Sequence, residues 1–257
     1  MLYLGGEEKT LKSADKQYDA DYFKDRLKDN LSGYMDYAGQ SLPLRKNFRI
    51  MLSRVKPYLT LDRPISLLDV GCAYGFFLDE ARKIGMSVHG LDLSESAIQW
   101  MEKNLSIKGT VGISSDAPEG PFDIITAIEV IEHVKDPHSF MKDLHKRIKD
   151  GGLLVIHTGA IDSLTARWLG RFWWYLNPPD HCTIYSRPSL RRLIADNGFD
   201  PLEHRLRYVE WGGLNNILLK LARIFGSKRL GRLASKLPAL VLPVFHNCAQ
   251  LLIARKR

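Results

Sequence analysis

The run "ISLLDVGCAYGFFL", residues 65 to 78, constrains the fold more than any other stretch. "ISLLDV" is short, apolar and β-rich, and it stops at a glycine. Small residues at Gly71, Ala73 and Gly75 form a turn that leads straight into an apolar run at helical spacing. A strand passing through such a turn into a helix is the first half of a βαβ unit, whose next strand lies parallel to the first. The rhythm then repeats. "SVHGLDL" reads as a strand and "SESAIQWMEKNL" as a helix capped by Ser94. A weak strand near "GTVGI" precedes the strand "FDIITAI". "DPHSFMKDLHKRIKDGG" reads as an amphipathic helix with glycines at its C-terminal end, and "LLVIHTG" as a further strand. The reading is an α/β chain with a mostly parallel sheet covered by helices on both faces.

Outside this block the pattern changes. Residues 16 to 60 read mainly as helix, because "DADYFKDRLKDNLSGY" and "LRKNFRIMLSRVKPYL" space their apolar residues three and four apart. "TARWLGRFWWYLNPPDHCTIYS" is aromatic and proline-interrupted, which suits a loop or lid. "SRPSLRRLIADNGF" reads as a short capped helix, 213–246 as helical, apolar and basic, and "NCAQLLIARKR" as a final strand. The expected organisation is a helical N-terminal lid over 1–60, a core over 61–160, and a region over 161–257 that completes the same domain.

The charge is uneven. The formal net charge is +8, and from Glu203 onward eleven Lys and Arg face two Glu, so that region carries the whole excess. A basic amphipathic stretch at 213–246 suits an anionic membrane surface, a helical cover for the sheet, or a dimer face. "LPALVLPVFHNCAQLLIA" is too broken by polar residues and proline to read as a membrane span. The start has no apolar signal core, and Cys72, Cys182 and Cys248 are odd in number and far apart. A cytoplasmic protein, free or peripheral on the inner face of the membrane, is the expectation.

Two clusters carry chemistry. Asp92 closes the second strand, 21 residues after Gly71, where an acid can accept both hydroxyls of a ribose. "AIEVIEHV" places Glu129, Glu132 and His133 at i, i+3 and i+4 after the fourth strand. If a helix has begun by Glu129, all three share one face.

The turn "GxAxG", with Asp69 two residues before it, resembles the cofactor loop of class I S-adenosylmethionine-dependent methyltransferases. "GLDLSESAI", "FDIITAIEVIEHVKDP" and "IKDGGLLVI" resemble the successive motifs of that family, and the branch nearest in pattern is that of the ubiquinone-pathway O-methyltransferases. The resemblance implies a Rossmann-like, doubly wound, seven-stranded sheet. It also implies S-adenosyl-L-methionine as cofactor. Asp69 and the backbone of Gly71, Cys72, Ala73, Tyr74 and Gly75 would surround the methionine part. Asp92 would hold the ribose and Leu93 would pack near the adenine. Asp116 and Ala117 would face the adenine edge, and Ile128 would line the same pocket.

At the fourth strand end, the family offers three readings. His133, with Glu132, acts as a metal-free base or orienting pair; or the residues are structural; or Glu129, Glu132 and His133 bind a divalent ion. Small-RNA 3′-terminal ribose methyltransferases and the ubiquinone-pathway enzymes use such a cluster, and His181 in "PPDHCTIYS" is the natural further ligand. Oxygen-plus-imidazole ligation suits magnesium, manganese, iron or zinc. Trp168, Trp173, Trp174 and Tyr175 would wall the acceptor, and Arg45 would reach the methionine carboxylate or an anionic acceptor. His138, His145, His157 and His246 read as packing or surface residues. The expected acceptor is a small molecule, quinone-like, lipid-linked or from a glycan pathway. RNA is the alternative acceptor, and no RNA-binding module supports it. A non-catalytic cofactor-binding protein at a membrane is the rival of another class.

Overall fold

In the computed structural model the described residues are 2–3, 37–60, 63–176, 181–206, 209–215, 218, 221–222, 227–234, 240–245 and 248–257. The elements in chain order are β1 (Leu2–Tyr3), α1 (Ser41–Val55), β2 (Ser66–Val70), α2 (Phe76–Lys83), β3 (Ser87–Asp92), α3 (Glu95–Leu105), β4 (Gly109–Val111) and β5 (Phe122–Ile128). They continue with α4 (Pro137–Arg147), β6 (Ile148–Gly159), α5 (Leu164–Leu169), β7 (Thr183–Ile184), α6 (Arg187–Asp196), β8 (Phe199–Leu206), β9 (Val209–Gly213), α7 (Lys228–Ala234), β10 (Val241–Phe245) and β11 (Ala249–Lys256).

Seven strands form one sheet in the order β4-β3-β2-β5-β6-β11-β8. All run parallel except β11, which is antiparallel to both of its neighbours. This is the doubly wound sheet expected from the sequence. Because side chains alternate along a strand, adjacent core residues go to opposite faces. Leu67, Ile124, Leu153 and Val155 join α1, α2 and α3 on one face. Their neighbours Leu68, Ile125, Leu154 and Ile156 join α4 and α6 on the other.

The local signals act as their chemistry requires. Ser94 caps α3 by accepting from Ala97 N at 3.2 Å, and Asp136 caps α4 through Ser139 N. Ser186 and Ser189 form a capping box on α6. Chain order places β3 on one side of β2 and β5 on the other, so the crevice at their carboxyl ends is the switch point where ligands bind in such sheets.

Three expectations are corrected. Segment 213–246 is helical only in part, at Leu214, Asn215, Leu218, Leu221, Ala222 and Lys228–Ala234 among the described residues. Its C-terminal end is β10, which pairs antiparallel with the preceding β9, Val241↔Gly213 through Phe245↔Val209, and α7 lies between the two strands. The β-branched Val241 and Val244 favour extended backbone, and the remote partner strand is what fixes it. The glycines of "KDGG" lie inside β6, with Gly151 at φ +74, rather than closing α4. The aromatic region is not all loop, for it holds α5, a 3-10 turn at Gly170–Phe172 and β7. β7 pairs with β1, an N-terminal strand that the sequence did not signal. The expected helix "DADYFKDRLKDNLSGY" lies outside the described residues apart from its surroundings at Tyr37.

Candidate active site

The turn after β2 is built from left-handed backbone at Gly71 (φ +74), Ala73 (φ +48) and Gly75 (φ +71). Gly71 N and Cys72 N both donate to Leu91 O, which pins the turn to β3. The glycines are needed for packing. A Cβ at Gly71 would stand 2.3 Å from Cγ2 of Val130, and one at Gly75 would stand 2.4 Å from Sδ of Met101. Ala73 takes the left-handed conformation at some cost and donates its N–H to Asp92 Oδ2 at 2.8 Å.

Asp92 is half-buried at the end of β3. Its Oδ1 accepts from Ser94 N at 2.9 Å. Each carboxylate oxygen therefore holds one backbone N–H and keeps a second lone pair, the capacity a pair of ribose hydroxyls needs. Burial raises its pKa, with the Ser94 and Ala73 N–H groups pulling the other way. Asp69 lies under the turn, buried, and accepts from the Thr126 hydroxyl. Burial pushes its pKa up to about 7, against the Thr126 hydrogen bond.

The remaining predicted cofactor positions serve in different ways. Cys72 is buried, and its thiol pKa is pushed up by burial. The Tyr74 ring stacks on Trp100, centroids 4.4 Å apart, so Tyr74 can offer a ligand its backbone rather than its ring. Leu93 and Ile128 are half-buried beside the crevice. Asp116 turns back to accept from Ile113 N at 2.9 Å. Ala117 is buried, and its carbonyl accepts from Arg147 Nε at 3.1 Å. Arg45 does not reach the crevice with its charge, because Asp79 and Glu80 of α2 hold it, Glu80 at 2.7 Å.

Beyond β5 the expected helix has not begun at Glu129. That residue is left-handed (φ +57), and Ile131–His133 is a single 3-10 turn. Glu129, Glu132 and His133 therefore do not share a helix face. Val130, the residue between, is the one packed on Gly71, which sets the whole segment against the glycine turn.

Tertiary structure then sorts the group. Glu132 is fully buried, and its Oε2 accepts from Thr158 Oγ1 at 2.8 Å, while Oε1 has no hydrogen-bond partner. Burial, and next the charge of Glu129, raise its pKa well above the carboxylate range. His181 comes to His133, with ring centroids 4.7 Å apart and planes at 81°. Among the described residues, Glu132, His133 and His181 can each offer one ligand atom, all within 4.8 Å of one another. His181 Nδ1 lies 2.7 Å from the carbonyl of Tyr175. A carbonyl only accepts, so Nδ1 carries the proton and Nε2 presents a lone pair.

Glu129 lies beside Glu132 but outside the three residues that can share one ion, contrary to its expected place as a ligand. Its Oε2 accepts from the Tyr175 hydroxyl at 2.8 Å. Its Oε1 lies 2.7 Å from Nδ1 of His157, off the line that a hydrogen bond requires. Burial raises its pKa, but the His157 imidazole and the Tyr175 hydroxyl outweigh burial and hold the carboxyl below its usual range. His157, read as a packing residue, is thus part of the site. The available signal was a polar "HT" closing the apolar run "LLVI" on the strand beside β5. The aromatic wall is also redistributed. Trp173 is buried in a small core with Ala166, Ile184 and Cys248, while Trp168 is 86% exposed.

The description "methyltransferase domain" matches residues 44–204. The chain is 32% identical over 142 residues to a ubiquinone biosynthesis O-methyltransferase of Coxiella burnetii, covering 52% of this chain and 59% of that protein. The same figure of 32% holds over 111 residues against a protein of that name from Maricaulis maris, covering 39% and 44%. The chain thus spans about half the length of the curated relatives it matches. Among solved structures, the magnesium protoporphyrin IX methyltransferase of Synechocystis PCC 6803, determined with bound SAH, superposes with a TM-score of 0.61 at 13% identity, covering 96% and 99%. A SAM-dependent methyltransferase from Archaeoglobus fulgidus gives 0.55 at 18% identity, covering 82% and 94%. At such identities these likenesses speak for the fold alone. With the match over residues 44–204, the glycine turn and Asp92, this chain belongs to the methyltransferase-domain family.

Proposed function

We propose that the chain transfers the methyl group of S-adenosylmethionine to a hydroxyl oxygen of a small-molecule acceptor, of quinone-like, lipid-linked or glycan-pathway chemistry. The observation that carries this reading is the convergence of Glu132, His133 and His181 beside the glycine turn. The cofactor is a sulfonium with a good leaving group, so the protein's task is to orient the acceptor oxygen and remove its proton. Two imidazoles against a buried carboxyl suit a hydroxyl acceptor, and the likeness to ubiquinone biosynthesis O-methyltransferases favours oxygen too.

The cofactor fits the residues present. Asp92 retains acceptor capacity for the ribose, and the turn at 71–75 gives close backbone approach at the switch point. Burial and the nearby charge of Glu129 both favour the neutral form of Glu132, which makes it the weaker base of the group. The proton acceptor is therefore an imidazole, with His133 as the base and His181 oriented beside it. A divalent ion also fits, since Oε1 of Glu132 is buried without a partner and His181 Nε2 presents a lone pair. Such an ion would supply Lewis acidity that lowers the pKa of the acceptor hydroxyl. Magnesium, manganese, iron and zinc all suit this donor set.

The surface next to the site supports an acceptor carried at a membrane. Leu164, Trp168 and Phe172 are exposed on one segment, with exposed Arg167 and Arg171 between them. That mixture of aromatic and cationic side chains suits an anionic bilayer surface. It lies on α5 and the turn after it, rather than on 213–246 alone. Titration calorimetry tests the enzymatic reading. S-adenosylmethionine should bind the wild type, and Asp92→Ala should weaken binding at least about tenfold, roughly 1.4 kcal/mol. Absent binding, or unchanged binding in the variant, would overturn it. Elemental analysis should also find a divalent ion that both His181→Ala and Glu132→Ala lose.

A further inference from the structure

We infer that three consecutive residues at the carboxyl end of β6, His157, Thr158 and Gly159, are positioning residues for the Glu132–His133–His181 group. The inference rests on the reading of that group given above. Each of the three holds a different part of the site. Thr158 occupies Oε2 of Glu132, leaving Oε1 as the oxygen without a partner. His157 accepts the Glu129 N–H on its carbonyl at 2.9 Å and places its Nδ1 2.7 Å from Glu129 Oε1. Glu129 in turn accepts from the Tyr175 hydroxyl, and the Tyr175 carbonyl accepts from His181 Nδ1. Gly159 seats the Tyr175 ring, for a Cβ there would stand 2.5 Å from its Cδ1. His133 is reached last, through the edge-to-face contact with His181.

The physical need is plain. The three side chains of the group come from segments about fifty residues apart, and a working constellation must be held to within about 0.5 Å. β6 lies between β5 and β11, paired on both sides, so its end is a firm reference for both segments. Two routes of contact leave it, and they meet again where Cys182 N donates to Glu132 O at 2.7 Å. One runs from Thr158 to Glu132. The other runs from His157 and Gly159 through Glu129 and Tyr175 to His181. They predict different consequences for different substitutions, which mere core packing does not.

The experiment uses the full chain with 15N-labelled histidine and, as metal probe, cobalt(II) followed by its visible absorption. In the wild type, His181 should appear as the Nδ1–H tautomer. Tyr175→Phe, which removes the hydroxyl held by Glu129, should populate the Nε2–H tautomer. Thr158→Val, close to isosteric, should leave that tautomer alone and weaken cobalt binding about ten- to a hundredfold. Glu129→Gln keeps an acceptor for Tyr175 and should retain the wild-type tautomer, whereas Glu129→Ala should behave as Tyr175→Phe does. Glu129→Ala also replaces Tyr175→Phe should that variant not fold. An unchanged tautomer in both Tyr175→Phe and Glu129→Ala, with wild-type cobalt affinity in Thr158→Val, would overturn the inference. Absent cobalt binding by the wild type would refute the metal reading alone, and the tautomer comparison would still decide the positioning role.

Discussion

Gly71 sits at φ +74, and a methyl group added there would meet Cγ2 of Val130 at 2.3 Å. Left-handed strain and overpacking each cost about 1–3 kcal/mol, so Gly71→Ala should lower stability by about 3 kcal/mol, read from urea denaturation. An unchanged midpoint would contradict the packing account. Asp69 gives a prediction in pH. Its native pKa is about 7 against an ordinary 3.8. Between those values the native state keeps a proton that the unfolded chain has released. Stability from this group is therefore greatest at the acid end of the window and falls as pH rises through it, by up to about 1.4 kcal/mol per unit. Asp69→Asn should remove that slope in denaturation series across the window. The identities of these residues were legible in the sequence, whereas the reason for Gly71 was not. The space it leaves is filled by Val130 of the protein itself.

At the scale of elements, α1 shows how a helix is tied to a remote hairpin. Asn47 donates to Trp211 O at 2.9 Å and accepts from Trp211 N at 2.8 Å, so its amide substitutes for a strand partner of β9. Lys46 lies 3.8 Å from the centroid of the Trp211 ring. Asn47→Ala should cost about 1–3 kcal/mol and speed exchange of the Trp211 amide, measured by hydrogen exchange. Unchanged protection there would show the contact to be dispensable. The helix was legible because its apolar stripe repeats locally. The hairpin was not, because β9 and β10 are short, separated by a basic helical segment, and find each other only in the folded chain. The same limit explains Glu129: "IEVIEH" has helical spacing, yet the left-handed residue at its head breaks the face.

For the whole molecule, no helix among the described residues is long and apolar enough to cross a membrane. The membrane contact proposed above concerns the surface. Leu164, Trp168 and Phe172 stand 68%, 86% and 53% exposed beside Arg167 and Arg171, and Arg229 and Arg232 of α7 are exposed as well. The protein should float with vesicles rich in anionic lipid and stay behind with neutral ones. Binding should weaken with added salt, since screening reaches a length of about 10 Å at 0.1 M. Trp168→Ala should abolish most of it. Equal flotation with neutral vesicles, or none lost in that variant, would refute the membrane role.

By itself the sequence determined the alternation of strand and helix, the glycine turn after β2, the acid at the end of β3, and the presence of carboxylates and imidazoles after β5. These are encoded locally, in periods of two and of three to four residues and in turn chemistry, so neighbours along the chain suffice to read them. The tertiary structure alone decided the pairings. It sent Arg45 to Asp79 and Glu80, turned Glu129 to Tyr175 and His157, and brought His181 to Glu132 and His133. Those partners lie tens of residues apart, and which of them meet depends on the order in which strands lie side by side.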